Sequence, residues 1–507
     1  MLDTSEKLSK SDFDSAAGEK TGDAEGHVGY AEQEIDENST DEELSRYIIN
    51  PAEEKALLRR LDVVLGPLVC VLYLIAFLDR SQLGNAASAG MLTDVGAPVN
   101  GLSVTASIFY VTYVTFEPLW TTIMKTVKAS RMLPAVVIAW GAVVLGNGFI
   151  KNYPSLIACR LILGLLESAL TPCLFLILSL WYQRNELAWR TAIMFVAAAV
   201  SGVVGGLVCA GFIKLDGHLG LRGWEHIYVW LGVITIVLGM ISPFFIADSY
   251  HTAWFLTPRQ KLLMRVRDLH AAEYRGKQDF SWGEVKRAFK DPIVYISGAM
   301  QFGFDICLYG FSTFLVVIVK ALGYSTINSQ LLTAPVYAWA AIVYLVCAAI
   351  SDRKDMRFWL IFPTGCVTII GYVLLVAVQH STAVSLFACF LCATGIYSAV
   401  GLNVSWNAIS NAGDRKRATA IGIQQLVGNL GGVVAGQIYR STDKPYYRLG
   451  HACSLGAMVW AICWMFVYVA VLKKRNARKL ALTEEEKNEM IAQGATGDQH
   501  PNFMYKW

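Results

Sequence analysis

The sequence is short of charge. Only 16% of its 507 residues are Asp, Glu, Lys or Arg, and 54% are hydrophobic, whereas an average soluble domain is about 25% charged. A water-soluble chain of this length would form roughly three domains, each needing a charged surface. The formal net charge is only +3, which gives no support for nucleic-acid binding. The low charge therefore predicts a protein whose main solvent is lipid.

Motifs of enzymes are missing as well. The chain has no G-x-S-x-G, no H-E-x-x-H and no G-x-x-x-x-G-K-[ST] sequence. Without the last of these, the phosphate-binding loop, an ATP-driven pump within this chain is not expected. The eleven cysteines lie mostly inside apolar runs, which favours small buried thiols over disulfides or metal ligands. We therefore expect no enzyme activity, no metal and no cofactor.

Long apolar runs are what the chain does contain. A helix that crosses the hydrocarbon core needs about 20 apolar residues, and a helix satisfies its own backbone hydrogen bonds in lipid. Twelve runs fit this requirement, so we predict an all-α membrane protein with twelve transmembrane helices. The runs lie near 61–80, 102–124, 132–150, 155–181, 191–213, 227–247, 293–319, 331–350, 357–378, 384–408, 418–439 and 452–472.

The runs are arranged as two halves of six. Residues 61–247 and 293–472 form the halves, and a basic linker at 248–292 with one or two amphipathic helices joins them. Residues 1–60 are expected to be a disordered acidic tail, because the first fifty residues hold fourteen Asp and Glu against four Lys and Arg. A second tail follows at 473–507. Two equivalent halves are typical of secondary transporters, with the substrate site between them.

Loop charges predict the orientation. If the N-terminus is inside, the inner loops carry eleven Lys and Arg and the outer loops seven. Positive loops stay in the cytoplasm, so both termini should be cytoplasmic. The inner loop at 351–357 has a D-R-x-x-x-R pattern, and we predict that Asp352, Arg353 and Arg357 act as an inner latch by binding carboxylates or helix ends. The alternative is ordinary positive-inside charge.

Ionisable residues inside the apolar runs are few and expensive, so they indicate function. They are Asp79, Arg80, Glu117, Arg160, Glu167 and Asp305. Arg160 and Glu167 are seven residues apart and share one helix face. In one interpretation Arg160 pairs permanently with Glu167 or Asp79 and only holds the fold. In the other, the acids exchange protons while Arg80 or Arg160 alternates between an acid and a substrate anion. Glu117 favours a hinge or latch role, and Asp305 stays ambiguous.

The second half offers uncharged polar groups. Asn403 and Asn407 are four residues apart on one face, with Trp406 beside them. Two amides and an indole suit a polar organic molecule with a flat or aliphatic part, although they would equally hold helices together. Gln301 and Tyr309 are further candidates for the pocket. We predict that these five residues contribute to a substrate site together with Arg80 and Arg160.

Several stretches together resemble the anion:cation symporter branch of the major facilitator superfamily, and in particular its fungal allantoate permease-like members. They are residues 77–86, 109–117, 130–134, 160–167, 179–182, 291–292, 351–353, 428–431 and 443–451. The resemblance implies the fold of that superfamily and substrates such as allantoate, ureidosuccinate, nicotinate, pantothenate, biotin or dipeptides. It also implies that Arg80 binds the substrate carboxylate, that Asp79 and Glu167 carry protons, and that Arg160 couples the two events.

We therefore expect a monomeric plasma-membrane transporter that imports a small organic anion, such as a vitamin or ureide, with protons by alternating access. The proton gradient would supply the energy. The alternatives are an exporter of a fungal secondary metabolite, a non-transporting nutrient receptor, and residence in the vacuolar or another internal membrane.

Overall fold

The computed structural model describes residues 39–123, 127–275, 282–378, 381–492 and 497–506, and these residues form helices and no β-strand. Twelve long helices dominate. In chain order they are α1 Pro51–Ser88, α2 Gly101–Ile123, α3 Ala129–Asn147, α4 Tyr153–Trp181 (broken at Ser168 and Ala169), α5 Arg184–Ile213, α6 Gly223–Ile241, α7 Pro292–Ala321, α8 Thr326–Lys354, α9 Phe358–Ala377, α10 Thr382–Ser410, α11 Asp414–Ile438 and α12 Arg448–Leu480.

Length and hydropathy agree with membrane crossing. Eleven of the twelve helices are long and apolar enough to span a membrane. The other, α2, has 23 residues, which also exceeds the required length of about 20. Large apolar side chains, among them Ile162, Ile342 and Phe387, are exposed on the outside of the bundle, where lipid tails would cover them. The predicted set of twelve spanning helices is confirmed.

The helices form two halves, α1–α6 and α7–α12, that pack side by side. Within the halves, α3 packs on α6 and α9 on α10, whereas α5 meets α8 and α2 meets α11 between the halves. One end of the bundle, here the terminal face, holds the start of α1, the linker helices and the end of α12. The opposite end, here the far face, holds the loops that follow α1, α5, α7 and α11.

The first helix starts ten residues before the predicted span. At about 1.5 Å per residue, the 38 residues of α1 are longer than the hydrocarbon core, which is about 30 Å thick. Hydropathy reports only the part in lipid, so residues 51–60, assigned to the disordered tail, are helical instead. A short helix, Asp41–Arg46, precedes α1. The disorder expected for residues 1–38 lies outside the described residues.

The linker forms two helices, Pro258–Arg275 and Trp282–Lys290. Thr257 caps the first, because its Oγ1 accepts the backbone N–H of Gln260 at 3.3 Å. This helix then binds the end of the acidic segment, with Arg265 2.6 Å from Asp41 and Arg267 3.2 Å from Glu54. The tail and the linker therefore form one polar layer on the terminal face.

Candidate functional site

The first half centres on Arg80. Its guanidinium is buried at the middle of three rings, with Cζ 4.6 Å from the centroid of Phe77, 5.0 Å from Tyr113 and 5.9 Å from Phe109. Nε of Arg80 donates to Oε1 of Glu167 at 2.6 Å. Its Nη1 and Nη2 donate to no acceptor within the described residues. Arg80 therefore keeps two donor groups for a partner outside the chain.

The helix α4 supplies Glu167 and Arg160 from one buried face. Asn152 caps its start by accepting the backbone N–H of Ser155 at 2.9 Å. Gly164 lies between the two charged residues, and a Cβ there would collide with the backbone oxygen of Phe109. Only glycine lets α4 approach α2 this closely, which places Glu167 against Arg80.

Neither Arg160 nor Asp79 joins that ion pair. Nη2 of Arg160 donates to the hydroxyl of Tyr228 at 3.2 Å, and its Nε is buried without a hydrogen-bond partner. Oδ1 of Asp79 accepts from Gln82, whereas Oδ2 is buried without a partner. A permanent bond from Arg160 to Glu167 or Asp79 is therefore not what this conformation shows. Instead, Glu167 pairs with Arg80. One side-chain atom of Asp79 and one of Arg160 have no hydrogen-bond partner.

The second half presents a chain of amides to the centre. Nδ2 of Asn403 donates to Oε1 of Gln301 at 2.8 Å, and Nε2 of Gln301 donates to Oδ1 of Asp305 at 3.0 Å. Of the predicted residues, Gln301 and Tyr309 line a central cavity, and Asn403 reaches it through Gln301. Asp305 lines the same cavity and is the acid whose role the sequence left ambiguous.

Two of the predicted residues of the second half are not brought to this cavity. Asn407 donates to Oε1 of Gln424 at 2.9 Å and to the backbone oxygen of Ala420, which ties α10 to α11. Trp406 donates to the backbone oxygen of Lys506 at 2.9 Å. The sequence grouped these residues with Asn403 because they lie close to it on the same helix. Their polar groups instead bind the neighbouring helix and the C-terminal segment. In this conformation Asn407 makes an interhelix contact and Trp406 a contact with the C-terminal segment, and their part in substrate binding stays a prediction.

The central cavity is small. Its space for the centre of a water molecule is about 20 Å³, and a second cavity, lined by Arg80 and Arg160, has about 10 Å³. A cavity needs roughly 10–15 Å³ by this measure to hold one water. Tyr110 of α2 and Tyr309 of α7 lie between the two spaces, with ring centroids 4.5 Å apart. The two halves are therefore closed over the centre in this conformation.

One hydrogen-bonded chain crosses between the halves beside these rings. The hydroxyl of Tyr309 donates to Oδ1 of Asn429 at 2.6 Å, and Nδ2 of Asn429 donates to Oε2 of Glu117 at 3.1 Å. The position of Glu117 in an apolar run made it a candidate in the sequence. Nothing in the sequence indicated that its partner is Asn429. Asn429 lies 312 residues further along the chain, so no local spacing reports the pair.

The far face is closed by close contacts and hydrogen bonds between the halves. A Cβ on Gly84 would collide with the backbone oxygen of Thr313. Nε2 of Gln330 donates to Oγ of Ser88 at 3.0 Å, and Oγ of Ser107 donates to the backbone oxygen of Val433 at 2.8 Å. These bonds hold α1 against α7 and α8, and α2 against α11, which closes this end of the bundle.

The predicted latch residues are on the terminal face, and one of them forms an ion pair. Nη1 of the buried Arg357 lies 3.1 Å from Oδ1 of Asp355, whose Oδ2 lies 2.5 Å from Nζ of Lys506. Burial would raise the pKa of Asp355, but hydrogen bonds from Lys506 and Arg357 hold it below its usual value. Asp352 and Arg353 are exposed and make no ion pair with other described residues. The acid that meets Arg357 is therefore Asp355.

The C-terminal segment 497–506 fills the neighbouring part of this face. Lys416 lies 2.5 Å from Asp291 and 2.6 Å from Asp498, and Arg475 lies 2.5 Å from Asp291. Burial would raise the pKa of Asp291, but hydrogen bonds from Arg475 and Lys416 lower it. Two acids and two bases thus neutralise one another where α7, α11 and α12 meet the segment.

No group of three or more His, Cys, Asp or Glu residues in the described part of the chain could hold a metal ion. Comparisons with known proteins agree with the geometry of a transporter. The chain is 39% identical to the uncharacterized transporter C1002.16c of Schizosaccharomyces pombe over 90% of its length and 91% of that protein. It is 32% identical to the high-affinity nicotinic acid transporter of Saccharomyces cerevisiae, over 94% and 89% of the two chains.

Among solved structures, a bacterial homologue of the human lysosomal transporter Spinster matches with a TM-score of 0.62 and 14% identity, over 83% of this chain and 97% of that one. That likeness shows the fold. The family model described as Major Facilitator Superfamily matches residues 69–436, which run from within α1 to near the end of α11. This chain therefore belongs to the major facilitator superfamily and is a multi-pass membrane transporter, not an enzyme.

Proposed function

We propose that the chain imports a small organic anion together with protons by alternating access. The proposal rests on the hydrogen bonds that the Arg80 side chain makes and on those it leaves open. Its Nε is bound by Glu167, while Nη1 and Nη2 have no acceptor among the described residues and the guanidinium lines a cavity. A guanidinium offers two parallel N–H groups that match a carboxylate. A substrate carboxylate can therefore bind Arg80 without displacing Glu167.

Glu167 gives a physical route to proton coupling. While Glu167 is ionised, it neutralises Arg80 at 2.6 Å and lowers the attraction of that site for a second anion. A proton on Glu167 removes this negative charge, so the substrate anion becomes the main counterion of Arg80. Binding of the anion and protonation of Glu167 then favour each other, which is what symport requires. Asp79, with one unsatisfied oxygen, is the second proton site in this scheme.

The relative that transports nicotinic acid supports a small carboxylate, such as a vitamin or ureide, as the substrate. The excess of Lys and Arg in the loops of the terminal face supports cytoplasmic termini. With this orientation, uptake into the cell places the protein in the plasma membrane, and a vacuolar position would make it an exporter from that compartment. A fluorescent fusion at the C-terminus distinguishes the two membranes.

Uptake of labelled nicotinate into cells that lack their own carrier tests the proposal. We expect uptake to be faster at pH 5 than at pH 7, to collapse with a protonophore, and to fall at least about 100-fold in Arg80→Ala, because a buried charge pair is broken. Arg478→Ala, on the exposed end of α12, is the matched control and should transport normally. Uptake that resists both the protonophore and Arg80→Ala would refute the proposal, and efflux without uptake would favour an exporter.

A further inference from the structure

Asp305 is a buried carboxyl group that the scheme above does not use. It is 2% exposed, lies on α7 within the span and lines the central cavity. No basic side chain lies within 4 Å of it in the described part of the chain. A lone carboxylate is costly in a membrane span, so Asp305 needs either a proton or a partner that comes from outside the chain.

The direction of the hydrogen bonds shows what that partner must be. The backbone oxygen of Ser297 and Oε1 of Gln301 both accept from Nδ2 of Asn403. The amide oxygen of Gln301 is thereby engaged, so its Nε2 faces Asp305 as a donor. The chain of donors ends at the Asp305 carboxyl group. While the Asp305 carboxyl group is ionised, its free lone pairs call for a donor from the cavity, and an ionised substrate carboxylate is not one.

Five of the eleven residues that line the cavity are aromatic, namely Tyr73, Phe77, Phe195, Tyr309 and Tyr397. Gln301, Gln425 and Asp305 supply polar groups, and three aliphatic side chains complete the lining. Aromatic rings pack well against other flat rings. The lining therefore favours a ring-shaped substrate with a polar atom at the edge that meets Asp305.

Tyr110 and Tyr309 lie between the cavity of Arg80 and that of Asp305. Tyr110 comes from α2 and lines the first cavity, Tyr309 comes from α7 and lines the second, and their ring centroids are 4.5 Å apart. Because the two tyrosines belong to different halves, a relative movement of the halves would part the rings and join the two spaces. The joined space would have a guanidinium at one end and a carboxyl group at the other.

Resting on the proposed function, we infer that the substrate is a flat aromatic monocarboxylate with a basic ring nitrogen, and that Asp305, oriented by Gln301, binds this nitrogen while Arg80 binds the carboxylate. One proton is shared between Asp305 and the nitrogen, whichever of the two holds it. An aromatic acid without the nitrogen leaves Asp305 without its partner. Such an unpaired group lowers affinity by roughly 10- to 100-fold.

Competition by three probes tests this assignment on the full-length protein. Nicotinate has both groups, benzoate lacks the ring nitrogen, and nicotinamide lacks the carboxylate. Inhibition constants against uptake of labelled nicotinate should be about 10- to 100-fold lower for nicotinate than for benzoate, and nicotinamide should be weak. This comparison needs no variant. Equal constants for nicotinate and benzoate overturn the inference and leave the proposed function standing, whereas no uptake of nicotinate and no competition by any carboxylate overturns both.

Variants assign the effect to Asp305. In Asp305→Leu, which has no group that can donate to or accept from the ring nitrogen, the ratio of the two constants should fall close to one, mainly through weaker nicotinate binding. Asp248→Asn is the matched control, because this acid accepts from Ser130 and lines neither cavity, so the ratio should be kept. If Asp305→Leu weakens both acids equally and abolishes accumulation against a gradient, Asp305 is a proton site and the inference is overturned. Asp305→Glu, which keeps the charge, should restore part of the ratio.

Discussion

The two halves of the bundle meet at one centre, but they equip it differently. The first half contributes Asp79, Arg80, Arg160 and Glu167, which form one ion pair and leave buried atoms of Asp79 and Arg160 without partners. The second half contributes a chain of amides in which each donor meets an acceptor and which ends at Asp305. Buried charged groups without hydrogen-bond partners gain free energy when they find one, so they change partners easily. A chain of amides whose hydrogen bonds are formed holds its geometry.

This difference supports separate tasks for the two halves in the proposed transport cycle. The first half is suited to exchange of protons and counterions, because a small movement changes which acid neutralises which arginine. The second half is suited to recognition, because its amides fix the orientation of Gln301. Substitutions that alter one half and leave the other intact therefore test this contrast.

The largest effect is expected from Glu167→Gln. The variant removes the negative charge that neutralises Arg80, so protonation can no longer be linked to substrate binding. Proton-driven accumulation of nicotinate should fall roughly 100-fold. Exchange of labelled for unlabelled substrate across the membrane, which needs no net proton movement, should persist. Both are measured in proteoliposomes.

Glu485→Gln is the control for that experiment, since Glu485 is exposed on the helix Glu484–Ala492. It should behave as the unmodified protein. Normal accumulation in Glu167→Gln would remove the proposed exchange role from the first half and would leave the contrast between the halves without a functional meaning.

Closure of the far face should be nearly as sensitive. In Gly84→Val the new side chain collides with the backbone oxygen of Thr313, which cannot move aside like a side chain. We expect uptake to fall by at least about tenfold while the protein still folds, because the halves can no longer meet at this end. Uptake and size-exclusion behaviour are measured together.

Gly66→Val provides the matched control on the same helix. A Cβ at Gly66 meets no atom within 4 Å, so transport should be unchanged. Normal uptake by Gly84→Val would show that the tight contact between α1 and α7 is not needed in the transport cycle.

The sequence predicted the spans well because lipid demands uninterrupted apolar runs, and it exposed Arg80 and Glu167 because an ionisable residue in such a run is conspicuous. It did not predict their pairing. Spacing tells which residues share a face of one helix, but Arg80 and Glu167 come from different helices. The contact of Trp406 with Lys506 spans 100 residues of chain and has no local signal. The docking of residues 41–54 on the linker involves only polar surfaces, which hydropathy does not register.

Within the second half, Asn403 and Asn407 should separate recognition from packing. Asn403→Ala frees Gln301 and should raise the KM for nicotinate by about tenfold with little change in thermal stability. Asn407→Ala breaks the bonds to Gln424 and Ala420 and should lower the free energy of unfolding by about 1–2 kcal/mol without a change in KM. Uptake kinetics and thermal melting of the purified protein distinguish the two, and the reverse pattern would return Asn407 to the substrate site.

The smallest effect is expected outside the membrane, at the latch. Asp355→Asn removes the charge that faces Arg357 and Lys506 but keeps a side-chain oxygen that can accept from both. Because Asp355 is 41% exposed, water screens its charge, and we expect a loss of about 1 kcal/mol or less even though Arg357 is buried. Because these cations lower the pKa of Asp355 in the folded protein, their contribution is complete above the ordinary Asp pKa, near 3.9, and is lost only as the pH falls through the lower folded value. The melting-temperature difference between Asp355→Asn and the unmodified protein should therefore be the same at pH 5 and pH 8.

Asp352→Asn, at an exposed position of the same loop, should melt as the unmodified protein does. Equal destabilisation by both variants would make Asp352, the acid expected from the loop motif, a partner of Arg357 as well.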